Sequence, residues 1–257
     1  RDCLLSRGLG DVYKRQEKTW VFSTWDYTTM YLIEGEDKAV LIDTGTRCAD
    51  LDKIVGQITG KPLEVIVTHM HPDHAGCIKY FDKVWMHRAD TVLVPQHAAD
   101  YQGEFLYMEE GQVFDLGGRK LEVAWMPGHT PGSVVLLDKA NGDCYSGDAF
   151  GSGEVWLQCV PMSPIATFHE SCCRMEKLMK EGHIKDIWCG HYPYLKSSLP
   201  LAYIQTMIRI SHRLMNGDQE GSEPYSNYFI KMPPTARKLA EGRAMIVYDS
   251  TNIPEAR

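Results

Sequence analysis

His69-Met70-His71-Pro72-Asp73-His74 decides how this chain is read, because four side chains able to hold a metal fall within six residues. The cluster directly follows Val65-Ile66-Val67, an apolar run that reads as a buried strand. Pro72 and Gly76 argue against one continuous helix, so the spacing places the cluster on a strand-to-helix loop. Such a loop can turn alternate side chains toward one point. Three imidazoles and a carboxylate suit Zn²⁺, and also Fe or Mn.

Further ligands follow downstream. His129 lies in Pro127-Gly128-His129-Thr130-Pro131-Gly132-Ser133, a tight loop between strands expected over 120–126 and 133–138. Asp148 closes a short strand in Ser146-Gly147-Asp148, and His191 follows Ile187-Trp188 in Cys189-Gly190-His191. Each sits beside a glycine, which lets the backbone bend and the site approach closely. A lone histidine is more often structural than a ligand. Five histidines and two aspartates at strand ends instead call for a pair of metals.

These motifs, in order and rough spacing, resemble the metallo-β-lactamase superfamily. Asp43-Thr44-Gly45, after the apolar run 39–42, matches that family's early aspartate motif, and the resemblance spans about residues 18–195. It implies an α/β (α+β) fold, a four-layer αββα sandwich with the site at one edge of two sheets. By the match, His69, His71 and His129 hold the first metal. Asp73, His74 and His191 hold the second, Asp148 bridges the two, and Asp43 orients a ligand imidazole. For Asp43 alone, a helix cap or turn is the competing role. Two zinc ions are expected, with iron or manganese as alternatives. The ligand set implies cleavage by a metal-bound hydroxide, with Asp73 as the catalytic proton acceptor.

The resemblance also separates branches. True β-lactamases of the superfamily carry Cys, Ser or another residue where Asp148 stands, and the oxygen-reducing diiron flavoproteins carry Glu where His71 stands. The nucleic-acid branches usually bring basic arms. Here the net charge is −7 and Lys14-Arg15 is the extent of a basic run, which argues against nucleic acid as a partner. Gly128-His129-Thr130-Pro131-Gly132-Ser133 looks like the segment shared by glyoxalase II thioesterases and lactone hydrolases. The expected activity is therefore a dinuclear metallo-hydrolase, hydroxyacylglutathione hydrolase-like or related, acting on a small ester, thioester or lactone. Lys196, Arg209 and Arg213 do not match a glutathione clamp. The rival activities are a phosphodiesterase or nuclease with the same ligands, and a non-catalytic metal-binding protein.

At 257 residues, with 44% apolar and 24% charged residues, the composition is that of a globular chain. A single domain is expected over 17–257, with a helical extension from about 196. Helices are expected from Pro164 to about Glu181 and over 199–215. No apolar run reaches transmembrane length, so no membrane contact is expected. The eight cysteines, at 3, 48, 77, 144, 159, 172, 173 and 189, include no Cys-x-x-Cys pair and suit a reducing cytoplasm. Ser6 through Gln16 reads as the translation of a transposase-end adapter used for sequencing libraries. Residues 1–16 are then expected to carry no fold information, and the native start and any signal peptide fall outside the sequence.

Specificity would come from loops. The aromatic candidates are Trp25 and Tyr27 in 22–31, Tyr101, Phe105 and Tyr107 in 96–108, and Trp156 with Met162 in 150–168. Tyr192 and Tyr194 are candidates to donate to a developing oxyanion. Packing at the sandwich edge is the competing role for all of them.

Overall fold

Alternation of apolar side chains along the strands builds the layers. The computed structural model describes residues 9–227 and 231–254. In β3 (Thr29–Glu34), Met30 and Leu32 face one way and Tyr31 and Ile33 the other; in β4 (Ala39–Ile42), Ala39 and Leu41 oppose Val40 and Ile42. Tyr31, Ile33, Val40 and Ile42 meet Leu121, Val123, Val134 and Leu136 of a second sheet, forming the central apolar layer. The opposite face of the first sheet is covered by Leu51, Ile54 and Val55 of the helix Leu51–Gly56. The opposite face of the second packs on Phe168, Cys172, Ile204 and Met207, from helices Ile165–Lys180 and Leu201–Met215. Helix, sheet, sheet and helix thus form the expected sandwich.

The first sheet runs β1-β2-β3-β4-β5-β6-β7, from Leu9–Gln16 (β1) and Thr19–Thr24 (β2), through β3, β4, Leu63–Ile66 (β5) and Lys83–His87 (β6), to Glu104–Met108 (β7). The second runs β13-β11-β10-β9-β8: Asp186–Cys189, Asp143–Gly147, Val134–Asp138, Lys120–Trp125 and Val113–Asp115. Strand β4 is parallel to β5, and β11 to β13, while β10 opposes both β9 and β11. The five strands β4, β5, β9, β11 and β13 therefore end on one edge of the sandwich. Every predicted ligand lies just past one of those ends.

Two expectations change. The region after 196 is helical only through Leu201–Met215. It continues into Glu223–Pro224 (β14), Ala236–Glu241 (β15) and Ala244–Asp249 (β16), which join Glu154–Trp156 (β12) in a third sheet of order β12-β16-β15-β14. Residues 9–16 of the suspected adapter segment are also built into the fold. Leu9 is buried, β1 pairs with β2, and the Arg15 guanidinium reaches Asp143 at 2.9 Å and lies 3.5 Å from the Trp188 ring centroid. Residues 1–8, with Cys3, lie outside the described residues.

Candidate metal centre

The strand ends deliver the seven predicted ligands into two adjoining groups. His69, His71 and His129 form one, and Asp73, His74, Asp148 and His191 the other; within each, the ligand atoms lie within 4.8 Å of one another. Two glycines make the approach possible. Gly147 has φ of +48°, and a Cβ there would collide with Thr68; a Cβ on Gly190 would collide with Asp148 and the His74 ring.

Hydrogen bonds on the far side of each ring fix which nitrogen faces inward. Asp43 accepts from His74 Nδ1 (2.8 Å), the Thr68 amide (2.7 Å) and the Thr68 hydroxyl (3.0 Å). The Thr68 proton is thereby committed, so its oxygen accepts from His69 Nδ1 at 3.1 Å. His129 Nδ1 donates to the carbonyl of Trp156 at 2.7 Å. These contacts leave Nε2 of His69, His74 and His129 facing the centre. His71 offers Nδ1, 2.9 Å from His129 Nε2. His191 Nε2 stands 3.3 Å from both Asp73 and Asp148, and His129 Nε2 stands 3.8 Å from Asp148. Asp148 thus reaches toward both groups.

The donor set fits metal ions on a second count. His69 Nε2, His74 Nε2 and Asp148 Oδ1 are buried without a hydrogen-bond partner. Buried polar atoms are ordinarily paired, and leaving one unpaired costs about 1–3 kcal/mol. Three orphans converging on one place are what a cation would satisfy.

The two groups differ electrostatically. Burial, reinforced by the neighbouring histidines, pushes His69 well below its ordinary pKa and His71 down to about 3, so both are neutral donors. In the other group burial opposes charge, but the two carboxylates and two imidazoles outweigh it. Asp73 and Asp148 are held below the usual carboxylate range, and His74 and His191 well above the usual imidazole range. A cation bound there would displace imidazole protons.

Sequence reasoning missed four features. Asp90, fully buried, accepts from the Met70 amide (2.9 Å), the Thr130 hydroxyl (3.0 Å) and the Gly132 amide (2.6 Å), tying the His69–His71 loop to the His129 loop. The Trp156 carbonyl orients His129. The His97 ring lies 5.8 Å from that of His71. Cys159 is near enough for Asp148 and Asp73 to act on it; burial and those carboxylates push its thiol up to about 12.

The aromatic candidates divide. Tyr101 donates to the Phe81 carbonyl and packs with Phe105 into the outer helix-side core, so both are structural. Tyr192 lies against Trp188, whereas the Tyr194 ring lies 5.9 Å from His191 and 5.2 Å from Tyr27. Arg209 and Arg213 are engaged by Glu241 and Asp218. The seven described cysteines form no disulfide, and no helix among the described residues is long and apolar enough to cross a membrane.

The family model described as "Metallo-beta-lactamase superfamily" matches residues 23–160, more than half of the chain. The chain belongs to that superfamily. Human "Acyl-coenzyme A thioesterase MBLAC2" is 26% identical over 226 residues, covering 72% of this chain and 80% of the relative. A "Hydroxyacylglutathione hydrolase" of Francisella philomiragia is 24% identical over 190 residues, covering 72% and 73%. Among solved structures, a metallo-beta-lactamase from Pontibacter korlensis superposes with a TM-score of 0.63 at 17% identity, covering 79% of this chain and 99% of the other, which speaks to fold alone. TTHA1623 "in a di-iron-bound form" matches with a TM-score of 0.54 at 27% identity, covering 68% and 90%. The human and Francisella relatives are both named for thioester hydrolysis.

Proposed function

We propose that this protein is a dinuclear metal-dependent hydrolase of thioesters. The observation that carries this reading is the convergence of seven ligand side chains in two adjoining groups, with buried, unpartnered nitrogen and oxygen atoms facing inward. Two bound divalent ions would supply Lewis acidity toward the thioester carbonyl and a water acidified to near neutral pH. His69, His71 and His129 would hold one ion, and Asp73, His74 and His191 the other, with Asp148 between them. Zinc suits this set, and the di-iron form of TTHA1623 supports iron as an alternative.

The remaining roles belong to the chain. Asp43 and the Trp156 carbonyl hold His74 and His129 in the required tautomers. Asp73, the most exposed carboxylate of the pair at 35% against 15% for Asp148, accepts the proton released on attack. The Tyr194 phenol, whose ring lies 5.9 Å from that of His191, is the candidate donor to the developing oxyanion. The thioester specificity is supported by the activities named for the human and Francisella relatives. The test is metal analysis after reconstitution, followed by acyl-coenzyme A and acyl-glutathione thioesters, lactones and bis-p-nitrophenyl phosphate. Two ions per chain with thioester turnover is the expected result. Turnover of the phosphodiester alone would overturn the reading.

A further inference from the structure

The segments that leave the metal centre also frame a cationic cleft. Arg47 follows Asp43-Thr44-Gly45, and Lys79 follows His74 by five residues; both are exposed and border an open cleft of about 360 Å³, lined also by Cys48, Gly76 and Cys77. Neither cation pairs with a carboxylate among the described residues. Asp26 also acts on Cys77; it accepts from the Thr24 hydroxyl and makes no ion pair with Arg47 or Lys79. In a chain of net charge −7, two cations without an ion-pair partner, on the segments that follow the Asp43 and His74 motifs, offer a place for an anion.

An exposed aromatic band joins cleft to centre. The Arg47 guanidinium lies 5.7 Å from the Trp25 ring centroid. Trp25 and Tyr27 share one tight turn, closed by the Tyr27 amide donating to the Thr24 carbonyl at 3.1 Å. Tyr27 meets Tyr194, and Tyr194 meets His191. These three aromatic residues are 53%, 51% and 59% exposed, an unusual outlay of apolar surface in one place.

We propose that this face binds the carrier half of the substrate: the Arg47–Lys79 cleft takes the phosphates of a nucleotide-type thiol, and Trp25, Tyr27 and Tyr194 support the arm leading to the thioester. The inference rests on the thioester activity proposed above and names its carrier. A guanidinium and an ammonium on one wall suit phosphate. A glutathione-type carrier brings an ammonium beside its two carboxylates, so it offers two cations far less net negative charge than a phosphate-bearing one, and the basic side chains Arg209 and Arg213 are already engaged by acids.

Calorimetric titration with coenzyme A and with pantetheine, which lacks the phosphates, tests this without turnover. Coenzyme A should bind at least about ten-fold more tightly, the scale of one charge-assisted contact, and added salt should erase the difference. Arg47→Gln with Lys79→Gln should remove the preference, and Trp25→Ala should weaken both ligands together. Equal binding of the two probes by the native protein, or an unchanged preference in a folded, metal-loaded double variant, would overturn the inference. The two readings fail separately. Selective coenzyme A binding with no hydrolysis of any thioester would overturn the proposed activity alone. Equal kcat/KM for acyl-coenzyme A and acyl-pantetheine would overturn the carrier assignment alone.

Discussion

The two halves of the metal centre are built by opposite means. The three-histidine half uses imidazoles alone, and its loops are tied by Asp90, which accepts from two backbone amides and a hydroxyl. The other half uses two carboxylates against two imidazoles, and its brace, Asp43, contacts a ligand ring directly. One half is shaped before a cation arrives. The other balances buried carboxylates against buried imidazoles whose protons a bound cation would displace. Asp148 belongs to the second half yet stands 3.8 Å from His129 of the first, so it is where the two designs meet.

Removing that meeting point should have the largest effect. Asp148→Ala should weaken both sites and cut turnover by more than about 10⁴-fold, beyond the usual share of one proton-transfer group. Elemental analysis showing two ions still bound would break the bridging assignment. Asp73→Asn keeps an oxygen ligand and the shape but removes the charge. It should lower kcat by about 10²–10⁴-fold while retaining more metal than Asp73→Ala. Equal metal loss in both variants would show that Asp73 acts only as a ligand.

The two braces should fail differently. Asp43→Ala should weaken metal in the mixed half by about 10–100-fold, the usual effect of losing a ligand's orienting partner. Asp90→Ala strands two amides, and should cost about 2–5 kcal/mol of stability even without metal. Thermal melts of the metal-free variants, beside metal titrations, separate the two. Both variants should lose metal-free stability, since Asp43→Ala also strands the Thr68 amide and hydroxyl; unchanged metal affinity in folded Asp43→Ala, or an equal loss of affinity in Asp90→Ala, would erase the distinction.

The same contrast explains what the sequence could tell. Asp43 was legible because it follows an apolar strand and sits in a recognisable motif. Asp90 was not, because it lies 20 residues past Met70 and 40 before Thr130, in a 3-10 turn with no ligand-like spacing. The contact that orients His129 is a backbone carbonyl, which leaves no side-chain signal. The strands β4 and β10 were readable from continuous apolar runs. Strand β15, Ala-Arg-Lys-Leu-Ala-Glu, has no clean two-residue alternation, so its own pattern does not announce the hairpin it forms with β16.

The smallest effect sharpens the comparison from outside the centre. Strand β1 lies at the edge of the first sheet, and an open edge offers unpaired amides and carbonyls to any extended segment, whatever its origin. Backbone pairing with β2 therefore says little about whether residues 9–16 are native. The side chains say more: Leu9 is buried, and Arg15 joins Asp143 beside Trp188. Deleting residues 1–16 should cost about 1–2 kcal/mol, as expected for one apolar residue and a partly buried ion pair, with metal content unchanged at two ions per chain. Arg15→Ala should account for about half of that. A deletion effect below about 0.5 kcal/mol, the range for surface changes, would mean that the edge is equally stable without the strand, as an adapter-derived segment implies. Loss of metal on deletion would mean that the edge supports the centre through Asp143 and β11, and that the two are not separate.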